Sequence, residues 1–295
     1  MEKWRGVGAL DRVDQRRRDP DWVARQWTRG DALLLRVDSE DRIAANFDGT
    51  APRGVRTEGA FDPECHFLLG LAAGVPWFTT SAPPDGPTAS LRRIGAVAEG
   101  LALELTVGAT ALTAWHRLEP HCSACGTRTA VESGGTNRRC AGCGRVHFPR
   151  QDPAVIVAVL DAADRILLGR QSTWSPGRMS VLAGFVEAGE SLEQAVHREI
   201  HEESGVRLSQ VHYFGSQPWP FPRSLMVGFV ARAEDEALTV ARDEIEDAAW
   251  FSRDEVDDAV LAGRLVLPGE ASIAHRLITA WARREVTGSN TRGAS

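Results

Sequence analysis

Three glutamates pose the first question. Glu199, Glu202 and Glu203 lie in HREIHEESG (197–205) at spacings i, i+3 and i+4, so a helix carries all three on one side. Carboxylates this close repel unless positive charge sits among them, and the usual remedy is a hard divalent cation held by oxygen ligands. The flanking residues predict the helix. Ser191 with Gln194 three residues later reads as a capping box, Leu192, Val196 and Ile200 give an apolar edge, and Gly205 is a C-terminal stop. Glu199 and Glu203 border that edge, so both are expected to be partly desolvated, which strengthens their attraction for a cation. Arg198 is expected to pair with Glu190 and pin the preceding loop to the helix.

The second group is soft where the first is hard. Cys122 and Cys125 form one CxxC, Cys140 and Cys143 another, and Gly126 and Gly144 follow the pairs. Four thiolates at tetrahedral reach select zinc, and a closed four-cysteine site keeps no open position for substrate. A structural zinc ribbon over 119–150 follows. Arg128, Arg138, Arg139 and Arg145 keep a nucleic-acid-binding ribbon open as an alternative. Cys65, next to His66 in an apolar run, reads as a lone buried thiol.

At 295 residues the chain exceeds one typical domain. A net charge of −6 argues against broad nucleic-acid or membrane binding. No run of about eighteen apolar residues and no apolar leader is present, so membrane insertion and secretion are not expected. The paired cysteines suit a reducing compartment, and cytoplasm is the expected setting.

Other elements must position these groups. ALLLRVD (32–38), RIAANF (42–47) and CHFLLGLAAGVPWF (65–78) read as strands, and 89–118 as mainly helical, weakened at Gly100 and Gly108. AVIVAVL (154–160) is a continuous apolar strand partnered by RILLGRQ (165–171), and MSVLAG (179–184) is a short strand. VRLSQVHYFG (206–215), LMVGFVARA (225–233) and the end of RDEIEDAAWF (242–251) read as strands. Between the first two of these, SQPWPFPRS (216–224) has three prolines, which predicts a stiff aromatic loop suited to a flat ligand. SRDE (252–255) opens another helix, and 270–285 forms a last amphipathic one. The fold class is α+β: an N-terminal mixed α/β domain over 1–118, the ribbon, a catalytic domain over 151–285, and a disordered tail over 286–295.

Gly184, Glu190, Arg198, Glu199, Glu202, Glu203 and Gly205 stand at the fixed positions of a long pattern, and the stretch resembles the Nudix box. SQPWPFPRS and the preceding four-cysteine ribbon are similar to the NADH pyrophosphatase branch of that family. The resemblance implies a mixed sheet sandwiched by helices. It also implies hydrolysis of the NAD(H) pyrophosphate to AMP and nicotinamide mononucleotide by metal-activated water, and removal of NAD caps from RNA 5′ ends. Carried over by motif position, Mg²⁺ or Mn²⁺ would be held by Glu199, Glu202, Glu203, Glu244 and the carbonyl of Ala183. One of the catalytic glutamates Glu199, Glu202 and Glu203 is expected to help deprotonate the water, and Glu203, bordering the apolar edge at the centre of the cluster, is expected to be the one whose loss hurts most. Gln217, Pro218, Trp219, Pro220, Phe221, Pro222, Arg223 and Ser224 would line the dinucleotide pocket. Phe148 and Phe185 would stack on its rings, Ala274 would offer a backbone contact, and Arg92 a phosphate or ribose contact. A glutamate of the family's ribbon loop is Gly135 here. Relatives are homodimers. Two other readings stay open: a Nudix hydrolase preferring ADP-ribose or dinucleoside polyphosphates, and a zinc-ribbon binding protein with a vestigial Nudix domain, whose expected sign would be a damaged box.

Overall fold

The computed structural model describes residues 6–240 and 245–286. They form two compact units that divide between Gln151 and Asp152, with Pro220–Arg223 belonging to the first. Among the described residues no helix is long and apolar enough to cross a membrane.

The first unit is built on a sheet ordered Leu10–Asp11, Phe67–Ala72, Val75–Ser81, Leu33–Val37, Arg42–Ala44, Thr88–Ser90, with Val55–Arg56 also on Leu33–Val37. Leu33–Val37 and Val75–Ser81 run parallel and the other pairs antiparallel. Helix α1 (Pro20–Trp27) starts on the Asp19 cap and buries Val23 and Trp27. The helical stretch expected over 89–118 is two helices, α2 (Leu91–Val97) and α3 (Gly100–Leu118). The break falls at Ala98 and Glu99, both extended, with Gly100 at φ 52°, a backbone conformation glycine adopts without strain. Gly108 stays helical. Leu103, Leu105 and Val107 pack with Leu35, Val37, Ile43, Leu69 and Ile94. The ribbon adds the antiparallel strands Thr129–Glu132, Asn137–Cys140 and Val146–His147.

Cys65 departs from expectation: its thiol is exposed. The strand begins only at Phe67, and residues 62–66 turn instead, with the N–H groups of Cys65 and His66 both donating to the Asp62 carbonyl. The apolar run misled because its first two residues belong to that turn.

In the second unit the sheet order is Leu208–Trp219, Ser224–Ala233, Asp152–Leu160, Ile166–Arg170, Asp247–Phe251, with Leu182–Phe185 also paired to Asp152–Leu160. Asp152–Leu160 and Ser224–Ala233 are parallel, which makes the sheet mixed. Val155, Val157 and Val159 pack with Ala195, Val196 and Ile200 of α4 (Leu192–Ser204). Ile156, Ala158 and Leu160 pack with Val256 of α5 (Arg253–Leu261) and with Ile273, Leu277 and Trp281 of α6 (Ile273–Ala282). Alternation along one strand thus feeds two cores, so AVIVAVL is apolar at every position.

SQPWPFPRS is shorter as a loop than its prolines predict. Ser216–Trp219 completes one strand and pairs with Ser224–Val227 of the next, leaving Pro220–Arg223 as the turn. Pro218 is tolerated because Leu208–Trp219 is a sheet edge, where a missing N–H removes no ladder bond. Val286, assigned to the tail, is buried in the second unit's core, and 287–295 lie outside the described residues.

Candidate active site and zinc centre

Helix α4 forms where its sequence signals place it. The Ser191 hydroxyl accepts from the Gln194 N–H at 3.2 Å, the Gln194 side chain accepts from the Ser191 N–H at 2.9 Å, and Gly205 ends the helix at φ 75°. Its buried residues are Ala195, Val196, Ile200, Ser204 and one glutamate, Glu203. Glu203 is 6% exposed, the Glu199 side chain 12% and that of Glu202 52%. The helix therefore grades the three carboxylates from buried to solvated.

Gly184 explains how Glu199 is accommodated. A Cβ at Gly184 would stand 1.9 Å from the carboxyl carbon of Glu199, so the carboxylate rests directly on the strand Leu182–Phe185. Only glycine permits this approach. The same strand carries Ala183, opposite Ile156 in the register.

Arg198 is tied to more than its expected partner. Nε and Nη2 donate to the two oxygens of Glu190, each at 2.8 Å. Nη1 donates to Glu199 Oε1 and Glu202 Oε2, each at 2.9 Å, and Nη2 also reaches the Phe185 carbonyl at 2.9 Å. These charge-assisted bonds hold the Glu190 carboxyl below its ordinary pKa and raise that of Arg198. Arg198 thus supplies positive charge among the acids. The remaining donors suit a hard cation: carboxylate oxygens, two of them largely desolvated, and one set in a cradle that any side chain at 184 would fill. Glu244 lies outside the described residues. Its neighbours Ile245 and Glu246 are buried and paired with Arg170 respectively, the Arg170–Glu246 contact being 2.7 Å.

The cysteines gather fully. Ligand atoms of Cys122, Cys125, Cys140 and Cys143 all lie within 4.8 Å of one another. Cys122 and Cys143 sulfurs are 3.6 Å apart, Cys125 and Cys140 3.4 Å, and His147 Nε2 stands 3.3 Å from Cys122 Sγ. Gly126 and Gly144, each at φ 74°, let the two turns fold back so that their N–H groups donate to the Cys122 and Cys140 carbonyls. The donor set is that of a structural zinc site.

The other sequence-assigned residues fall in both units. Phe148 in the first and Phe185 in the second are 66% and 58% exposed. Gln217, Ser224 and Ala274 are buried in the second unit, with Pro218 and Trp219 half-buried. Pro220, Phe221, Pro222 and Arg223 belong to the first. Phe221 packs on the first unit's core with the Arg92 guanidinium 4.8 Å above its ring, and Arg223 pairs with Glu119 at 3.2 Å.

Sequence reasoning missed a buried polar group within the ribbon. Arg138, grouped there with surface arginines, is buried. Its Nη1 donates to His116 Nδ1 at 2.8 Å, and its Nη2 lies 3.4 Å from Glu64 Oε2. Arginine can only donate, so His116 Nδ1 accepts and Nε2 carries the proton to the Gly135 carbonyl at 2.8 Å. Burial pushes the His116 pKa down to about 4. Gly135, at φ 98°, is where a Cβ would come within 2.7 Å of the Phe67 Cβ, so no glutamate fits this backbone. Strand alternation was the available signal: Arg138 and Cys140 share the inward face.

Comparison with known proteins agrees with this geometry. A NUDIX domain model matches residues 150–271, and a model of the NADH pyrophosphatase zinc ribbon domain matches 117–148. The NAD-capped RNA hydrolase NudC of Mycobacterium bovis (strain BCG / Pasteur 1173P2) is 42% identical over 297 residues, covering 95% of this chain and 94% of that protein. The NAD-capped RNA hydrolase NUDT12 of Homo sapiens is 42% identical over 187 residues, covering 59% of this chain and 40% of that protein. A solved NUDIX hydrolase from Nitrosomonas europaea aligns with 56% of this chain and 90% of its own, at TM-score 0.45 and 20% identity. Because likeness runs along nearly the whole length, ribbon and catalytic domain together, the chain belongs to the Nudix hydrolase family, in the branch that carries the NADH pyrophosphatase zinc ribbon.

Proposed function

We infer that the chain hydrolyses the pyrophosphate of NAD(H), giving AMP and nicotinamide mononucleotide, and removes NAD caps from RNA 5′ ends. The observation that carries this reading is the intact α4, with Glu199 seated on Gly184 and Glu203 buried beside it, in a chain resembling NAD-capped RNA hydrolases over almost its full length. A vestigial domain would have kept neither the acids nor the cradle.

Mg²⁺ or Mn²⁺ held by Glu199, Glu202, Glu203, Glu244 and the Ala183 carbonyl would offset the phosphate charge and make water a better nucleophile. The chain's own contributions follow from placement. Burial of Glu199 and Glu203 keeps their charge unscreened. Glu203, the most buried of the three, is the residue on which turnover depends most. Arg198 and Glu190 fix the loop before α4. Phe148 and Phe185 offer exposed rings for stacking, and residues 218–224 with Ala274 and Arg92 supply the remaining dinucleotide contacts. Four cysteines hold one structural zinc. The reading places the enzyme in the cytoplasm as a homodimer, in keeping with reduced metal-binding cysteines.

The test is product identification after incubation with NADH, ADP-ribose and a diadenosine polyphosphate, each with Mg²⁺ or Mn²⁺. Cleavage of NADH to AMP and reduced nicotinamide mononucleotide is expected to be the most efficient. Faster turnover of ADP-ribose or the dinucleoside polyphosphate would replace the proposed substrate, and no cleavage of any of the three would overturn the enzymatic reading.

A further inference from the structure

Gln217 lies near the end of the strand Leu208–Trp219 and is 5% exposed. Both polar atoms of its amide bond one backbone segment. Nε2 donates to the Ala271 carbonyl at 2.6 Å, and Oε1 accepts from the Ile273 N–H at 2.6 Å. Ile273 opens α6, so its N–H is one of those a helix start leaves unbonded. Ser272 caps the His275 N–H, and Gln217 takes that of Ile273, which the cap does not reach.

A second observation concerns the same turn. On the neighbouring strand, a Cβ at Gly228 would come within 2.8 Å of Ile273 Cδ1 and 3.2 Å of the Gly215 carbonyl oxygen. The sheet therefore lacks a side chain where α6 begins, and the first turn of the helix settles against it. A hydrogen-bonded clamp and a missing methyl fix one depth for that turn, which carries Ala274.

We propose that Gln217 is a positioning residue, which acts on the dinucleotide by fixing the start of α6 and makes no amide contact with substrate. The inference rests on the NAD(H) reading above. Both polar atoms of a nearly inaccessible side chain face protein backbone, which leaves its effect to pass through the helix it holds.

The test begins with wild-type protein cleaving NADH; failure there sinks the functional reading, and the hydrogen-exchange measurement below then decides the clamp. Gln217→Glu keeps the shape and the acceptor for Ile273 but, when ionised, cannot donate to Ala271. It is expected to raise KM for NADH about tenfold with kcat within about twofold of wild type. Gly228→Ala, which lifts the same turn, should raise KM in the same direction. The double variant should be no worse than the worse single, because both changes act on one element. An unchanged KM in Gln217→Glu overturns the proposal. So do fold-changes that multiply in the double variant, which would put the amide on the substrate itself. A measurement on unaltered protein guards against misfolded variants: NADH without added divalent ion should slow amide hydrogen exchange at Ile273–Arg276, and unaltered exchange there also overturns the proposal.

Discussion

At the four cysteines, ligand atoms lie within 4.8 Å of one another before any ion is considered. At α4, Glu199 and Glu202 are instead spread around Arg198, each bonded to Nη1 at 2.9 Å. The first arrangement is closed and soft, the second open and hard. In the ribbon there is little apolar packing, with short strands of four, four and two residues, so cohesion there depends on the centre the cysteines form. In the catalytic domain α4 is held by a capping box, a glycine stop and an apolar face, none of which involves an ion. One cluster makes its fold, and the other is presented by a fold already made.

Stripping zinc should give the largest effect. Structural zinc contributes on the order of 10 kcal/mol in small modules, so Cys140→Ser is expected to lose bound zinc by metal analysis and to melt at a clearly lower temperature. An unchanged melting profile would mean the ribbon stands without its metal. Next comes Glu203→Gln, which keeps shape and removes charge. Turnover of NADH at saturating Mg²⁺ should fall roughly 100-fold or more, about 3 kcal/mol, with the fold intact. Near wild-type turnover would remove Glu203 from the centre of the chemistry.

A pH titration sharpens the contrast further. His116 is held neutral by burial, its pKa pushed down to about 4 from an ordinary 6.5. Unfolded chain takes up a proton below the ordinary value while folded chain does not, so the contribution is complete above that pH and is lost as pH falls through about 4. The loss amounts to roughly 3 kcal/mol. Denaturant melts between pH 7 and 4 should show it, and His116→Gln should flatten that part of the slope. The smallest effect belongs to the cap: Ser191→Ala is expected to cost about 1 kcal/mol of stability, read as a lower denaturant midpoint, with zinc content untouched.

Much of the fold was legible because local signals and tertiary demands agree. Ser191, Gln194 and Gly205 bound α4, and the continuous apolar run 154–160 announced a strand buried on both faces. The site was legible where spacing alone brings groups together, as with the two CxxC pairs. It failed where distant chain decides. Nothing local says that Cys65 lies in a turn, that Ser216–Trp219 finds strand partners, or that Arg138 meets His116 and Glu64 across 22 and 74 residues. Three prolines in nine residues spoke for a loop, and strand pairing at the sheet edge overruled that reading for five of the nine.

Arg198 carries one more consequence. By bonding Glu190, Glu199, Glu202 and the Phe185 carbonyl at once, it leaves the box assembled without a cation. An incoming ion must then compete with a guanidinium for Glu199 and Glu202, which lowers its net affinity. On the proposed reading a divalent ion at this helix would exchange with its surroundings more readily than zinc held by four cysteines.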